Sequence, residues 1–287
     1  MENYLLERKL REESKDLHKR AAESVFVLQT MLSKYLTRFP EFTDHSFLHS
    51  MNVIDYCNRI IGDEQIKKLC PEECYVLIMS CYLHDIGMGV GNRDFAEFSK
   101  KLDFGDYFDN HDRNDDAAIV RAFHNAYSGL FIRKYSKLFD IPSEEMTRAI
   151  IQVARGHRKT DLLDSSEFGD IRDGDAIIRT AYLSAVMRLA DEIDVASDRN
   201  PILLFGNKTV TDETSIIEFG LHESITHVDV GDDAVTLHTR PKSAEYRPKI
   251  EALADKITDT LNYCRTVAEQ TSDLSIRQKR VIIKEEE

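Results

Sequence analysis

The sequence predicts a mainly α protein: a helical bundle with a small antiparallel β appendage and a C-terminal helix. Three observations predict it. Apolar residues recur at three- and four-residue spacing through most of residues 2–195. Short β-branched runs are confined to the stretch after Asn200-Pro201. Helical periodicity then returns over about 247–270, with Ile250, Leu253, Ile257, Leu261 and Cys264 on one face. The change of character divides the chain into a helical domain, 1–200, and a strand-containing appendage, 201–287.

The first element is a long, charged, amphipathic helix over residues 2–36, with Leu6, Leu10, Leu17, Val25, Leu28, Leu32 and Leu36 near one stripe. Phe39-Pro40 ends it. Thr43 or Asp44 caps the next helix, about 44–61, which stops at Gly62. Pro71 followed by Glu72 and Glu73 opens a third, because proline and acidic residues suit a helix's first turn. Its apolar run from Tyr75 to Leu83 delivers His84 and Asp85 side by side, and the chain turns at Gly87.

Residues 86–116 interleave Gly87, Gly89, Gly91 and Gly105 with many aspartates and read as a partly ordered lid or binding loop, with a short helix from Asp94 to Lys101. A helix over about 115–139 follows, then one from Ser143 to near Gly156, capped by the serine and favoured by Glu144 and Glu145. After a polar loop, Arg158 to Gly174, a strongly apolar helix runs over about 175–195. Ile216–Phe219, Ile225–Val230 and Ala234–Thr239 read as strands, the last two joined by a Gly231-Asp232-Asp233 turn. The tail through Glu287 reads as charged and loose.

Composition narrows the function. A formal charge of −13 excludes a general duplex-binding surface, which needs a basic face. No run is long or apolar enough to span a bilayer. The start, Met1-Glu2-Asn3-Tyr4, lacks the form of a signal peptide, so the expected address is the cytoplasm. The five cysteines include no C-x-x-C pair and read as reduced thiols that pack.

The chemistry lies in the ionisable residues on apolar helices. His45 and His49 are four apart and are expected to share a helix face. His84-Asp85 ends one helix, His124 sits within another, His157 follows Gly156 at a helix end, and Asp191 lies in the most apolar helix. Buried unpaired charges are costly, and a metal centre inside a bundle removes that cost.

Three pieces of text, His49-Ser50-x-x-Val53, Leu83-His84-Asp85-Ile86-Gly87 and Leu189-Ala190-Asp191, resemble the HD superfamily of metal-dependent phosphohydrolases over roughly residues 40–200. The resemblance implies an HD-type bundle in which His49, His84, Asp85 and Asp191 hold a first metal. His124 and His157 match the two extra histidines of the two-metal branch, with Asp85 bridging both ions. It also implies catalytic roles for Asp85, His124 and His157, and a metal-activated water attacking phosphorus in line.

The substrate expected is a nucleotide-like phosphorylated small molecule. A cyclic nucleotide or other phosphodiester is preferred, with a deoxynucleoside triphosphate as the alternative. A nucleotide-sensing regulatory module using the same metal site is a reading of another class. Met88 and Asn125 depart from close relatives, removing a familiar phosphate contact and lowering the triphosphohydrolase reading. Arg158, Lys159 and Arg121 are the candidates for gripping phosphate. The imidazole-rich ligand set points to one or two divalent transition ions, Mn, Fe, Ni, Co or Zn, with Mg allowed at a second site. His45 is expected to orient His49 or lie at the surface, and Asp194 with Arg199 to order a turn. Two long amphipathic elements flanking the core leave a homo-oligomer open.

Overall fold

The computed structural model describes residues 4–39, 45–158, 160–196 and 213–286. Lys159, Arg199, Thr43, Asp44 and the Asn200-Pro201 break lie outside the described residues. Mostly helical, the protein carries two small sheets and a long helix near its C-terminal end.

Helix α5 (Pro71–Leu83) is the centre. Every residue from Glu73 to Leu83 is buried, so its sequence is apolar on all sides, as a helix enclosed by others requires. Around it pack α1 (Leu5–Glu13), α2 (Lys15–Leu32), α3 (Phe47–Ile61) and α8 (Glu144–Arg155). Glu73, the one charge in that run, is paid for by a forked bond from Arg179, whose Nε and Nη2 lie 2.7 and 2.8 Å from its two oxygens. Pro71 occupies the first turn, where no backbone N–H is needed.

The predicted first helix is two helices. Ser14 leaves helical geometry (φ −144°, ψ 90°) and its hydroxyl accepts from Leu17 N–H, ending α1 and capping α2. The stripe of leucines continues across the break because both helices bury the same side. A 3₁₀ turn, Ser33–Thr37, follows α2. Helix α3 starts at Phe47 with Ser46 as its cap, later than the sequence suggested, so His45 stands before the helix.

Between the short α4 (Asp63–Ile66) and α5 the chain turns at Lys67 and Lys68. Beyond α5 come a 3₁₀ turn, Ile86–Gly89, then α6 (Asn92–Ser99) and a further 3₁₀ turn, Tyr107–Asp109. The predicted short helix thus begins two residues early. Next are α7 (Asp116–Tyr135), α8, and the short α9 (Ser165–Phe168). A hairpin follows where the sequence suggested the end of a polar loop and, from about 175, the start of a helix: β1 (Ile171–Asp173) and β2 (Ala176–Ile178), turning at Gly174 with φ +60°. Helix α10 (Thr180–Glu192) then runs against α3, α8 and the last helix.

The Ile216–Phe219 strand is wrong: these residues lie in α11 (Glu213–Glu223). The Ile-Ile-x-Phe text fits a half-buried strand as well as a helix, and position decides: Phe219 is buried while Ile216 and Ile217 are exposed. Strands β3 (Ile225–Val230) and β4 (Ala234–Thr239) form the predicted antiparallel hairpin. Helix α12 (Arg247–Thr271) packs along α10. The tail is not loose, for Arg280–Glu285 forms β5, parallel to β4, and the sheet order is β3-β4-β5. The glutamates mask a β-branched run, Val281-Ile282-Ile283, that supplies the strand's propensity. Among the described residues no single helix is long and apolar enough to cross a membrane.

Candidate metal centre

Helix α5 stops at Leu83, and His84 keeps helical geometry as its cap. Asp85 departs (φ −100°, ψ 5°), which turns its carboxylate away from the helix line and starts the 3₁₀ turn. That turn is docked on α7. The Ser128 hydroxyl accepts from Gly87 N–H at 2.9 Å and donates to the His84 carbonyl at 2.5 Å. Gly87 must be glycine: a Cβ there would stand 2.3 Å from the His124 carbonyl oxygen. Helix α7 itself is kinked at Phe123 (φ −117°, ψ 15°), immediately before His124.

These elements bring six predicted residues together. His49 Nε2 lies 3.1 Å from His84 Nε2 and 3.3 Å from Asp191 Oδ1, with His84 Nε2 3.6 Å from the same oxygen. Asp85 Oδ2 approaches this group, 3.2 Å from His84 Nε2 and 3.7 Å from His49 Nε2. Its other oxygen, Oδ1, faces a second group, 3.4 Å from His124 Nε2 and 3.7 Å from His157 Nε2. Those two nitrogens are 2.9 Å apart. One carboxylate therefore spans two triads, His49/His84/Asp191 and Asp85/His124/His157.

The tautomers can be assigned from the opposite ring nitrogens. Nδ1 of His84 donates to the Cys81 carbonyl (2.9 Å), Nδ1 of His124 to the Arg121 carbonyl (2.8 Å), and Nδ1 of His157 to the Ala154 carbonyl. Each acceptor lies three residues back, an ordinary reach in the last turn of a helix. Nδ1 of His49 donates instead to Asp194 Oδ2 at 2.6 Å. A neutral ring in this tautomer turns an Nε2 lone pair inward, as ligation requires. On His124 and His157, which burial keeps neutral, two such pairs face each other at 2.9 Å and repel unless a cation lies between them.

The spacing tests the fit to a metal. Ligand atoms about 2.1 Å from one ion stand about 3.0 Å apart at octahedral corners and about 3.4 Å apart at tetrahedral ones. The edges here, 2.9–3.7 Å, bracket that range. Burial points the same way for the second triad: it pushes His124 down to about 4 and His157 down to about 3, so both are neutral near pH 7, as ligands must be. Burial opposes charge on His84, Asp85 and Asp191 too. Their mutual attraction outweighs it, raising the imidazole's pKa and lowering those of both carboxyls.

Three residues act here in ways the sequence reading missed. Asp194, fully buried, orients His49 rather than only ordering a turn, and Asn52 Nδ2 donates to its Oδ1 at 3.2 Å. Its spacing of three from Asp191 was the available signal. Arg188 is also buried. Its Nε donates to the Gly156 carbonyl (2.7 Å) and its Nη2 to the carbonyl and hydroxyl of Thr160 (2.8 and 2.9 Å), fastening the loop that carries His157. Ser128 is the third. His45, expected to orient His49 or lie at the surface, is half-buried, with Nδ1 2.6 Å from Asp85 Oδ2 and its ring edge-on to His49.

Of the phosphate candidates, Arg121 and Arg158 are exposed beside His124 and His157, and Lys159 lies outside the described residues. Tyr127 is buried and stacked on Phe95, so it packs. Phe123 packs on Phe104 and Tyr107, and with His111 these line an open cavity of about 550 Å³.

Fold and site define a helical-bundle protein whose clustered histidines and aspartates could hold divalent metal. Residues 39–270 match the HD-CE family model, and the chain belongs to that HD-like domain family. No curated protein and no solved structure matches it.

Proposed function

We propose that the chain is a metal-dependent phosphohydrolase of nucleotides, cutting a cyclic nucleotide or another nucleotide phosphodiester. A deoxynucleoside triphosphate is the alternative substrate. The observation that carries the reading is the pair of triads joined through the two oxygens of Asp85. A phosphodiester must be attacked and its leaving oxygen stabilised on opposite sides of phosphorus, and a two-ion arrangement serves both.

Residues His49, His84 and Asp191 would hold one divalent ion, His124 and His157 the other, and Asp85 both. Bound there, transition ions such as Mn, Fe, Co, Ni or Zn would supply Lewis acidity, lowering the pKa of a water and neutralising phosphoryl charge. Asp194 and the three backbone carbonyls keep the Nε2 lone pairs aimed inward. His45 fixes the rotation of the Asp85 carboxylate. Exposed Arg158 and Arg121 offer guanidinium groups for phosphate oxygens beside the second triad. The aromatic-lined cavity at Phe123 suits a planar base.

The test is a screen of purified protein, loaded in turn with each metal, against cyclic mono- and dinucleotides, dNTPs and NTPs, with products identified by mass. Turnover of one class that Asp85→Ala abolishes is the expected result. Cleavage of triphosphates alone would replace the preferred substrate with the alternative. Metal-dependent nucleotide binding without turnover would replace the enzyme with a nucleotide-sensing module.

A further inference from the structure

A separate group of ligand-type side chains lies on the outer face of the three-stranded sheet. His227 on β3 and His238 on β4 are directly opposed in the antiparallel ladder. Their rings stack with centroids 3.8 Å apart. The parallel register of β5 pairs His238 with Lys284, and side chains alternate along a strand, so Glu286 falls on the same face as His238. A bulge between Ile225 and His227 brings Thr226 to that face as well. Three consecutive strands of the sheet thus end in one cluster.

Glu286 Oε1 lies 3.2 Å from His238 Nδ1 and 4.0 Å from His227 Nδ1. Its other oxygen accepts from the Thr226 hydroxyl at 3.0 Å, which orients the carboxylate toward the rings. His238 Nδ1 is buried from water and has no hydrogen-bond partner, despite the nearby carboxylate. A buried nitrogen of this kind costs stability unless something occupies its lone pair. One ligand atom from each of His227, His238 and Glu286 falls within 4.8 Å of the others.

We propose that His227, His238 and Glu286 form a second, peripheral site for a divalent transition ion, clipping β5 to the β3–β4 hairpin. Two imidazoles and a carboxylate, with further positions left to solvent, suit zinc, nickel or copper and not magnesium or calcium, which prefer oxygen. Coordination needs each lone pair to lie in its ring plane. The His227 side chain, 55% exposed, has room to turn out of the stack to meet that need. The clip has a mechanical purpose. β5 is an edge strand whose Ile282 and Ile283 are exposed, and an ion shared by three strands would hold it in register.

The site does not depend on the central histidine cluster, and its test is built to keep the two apart. Wild type, Glu286→Gln and His238→Gln are saturated with Zn²⁺, freed of excess by gel filtration, and assayed for zinc per chain by mass spectrometry. Hydrogen exchange of residues 280–286 is followed with and without Zn²⁺. Wild type is expected to hold one zinc more than either variant, whatever number the centre itself takes. Exchange over 280–286 should slow at least tenfold with Zn²⁺ in wild type and stay unchanged in the variants. Equal zinc counts in all three proteins, or zinc that leaves the exchange of 280–286 unaltered, would overturn the proposal.

Discussion

Replacing Asp194 with asparagine tests the tautomer argument at its root. Asp194 Oδ2 accepts from His49 Nδ1 at 2.6 Å while Oδ1 accepts from Asn52 Nδ2 at 3.2 Å. An asparagine at this position has one oxygen, and Asn52's amide holds it. The new NH₂ group then faces His49 Nδ1, which must accept, and the imidazole proton moves to Nε2. That proton points at His84 Nε2, 3.1 Å away, where the attraction of Asp85 and Asp191 favours a proton already, so one of the two must leave.

Metal binding should suffer, because Nε2 must lose its proton again before it can ligate. Loss of such a supporting carboxylate costs about 10- to 100-fold in metal affinity, or about 1.4–2.7 kcal/mol. Competition against a chromophoric chelator measures it. Unchanged affinity for the first ion would refute the assignment.

Arg188→Met keeps the packing over Tyr263 but leaves the Gly156 and Thr160 carbonyls without their donor; it should lower stability by on the order of 3 kcal/mol and weaken the second ion at least tenfold, read by calorimetry and metal titration. In Gly87→Ala the new methyl would press on the His124 carbonyl and the Ser128 N–H; overpacking of about 1–3 kcal/mol should push α7 away from Asp85 and reduce bound metal from two ions to one. Burial holds the Glu7 carboxyl up at about 7, so the folded chain keeps its proton where the unfolded chain has lost it. That stability is present below about pH 4.5 and is lost as pH rises through about 7. Glu7→Gln should therefore raise the unfolding free energy at pH 8 by up to about 2 kcal/mol, after allowing for solvent screening, and leave it unchanged at pH 4, read by denaturant unfolding at both pH values. An equal gain at both pH values would contradict this.

The bundle and the six clustered residues were legible because each signal is local. Pro71 with two glutamates marks a helix start, and imidazoles on apolar helices leave few ways to satisfy their polar atoms. What was not legible depends on contacts between distant segments. Asp194 and Arg188 read as ordinary charges at a helix end, and only the approach of α3 and of the Gly156–Thr160 loop gives them work. The alternative strand reading of Ile216–Phe219 survives any local pattern, and β5 needs a partner 46 residues earlier in its register, Ala234 beside Arg280. His45 was placed on the helix by spacing alone, whereas Ser46 takes the cap and leaves it outside. The sharing of Asp85 between two triads entered through the resemblance, since sequence distance carries no such geometry.

The shared carboxylate has an electrical corollary. Two dications would bring four positive charges, and four neutral imidazoles with Asp85, Asp191 and the buried Asp194 behind His49 would return three negative ones. A centre filled with two ions would hold a surplus of one in a largely closed space, where each charge is weakly screened. Electroneutrality would then draw in an anion of matching size, with hydroxide or phosphate the obvious sources. A chain with a formal charge of −13 could in this way attract an anionic guest at one point while repelling it almost everywhere else.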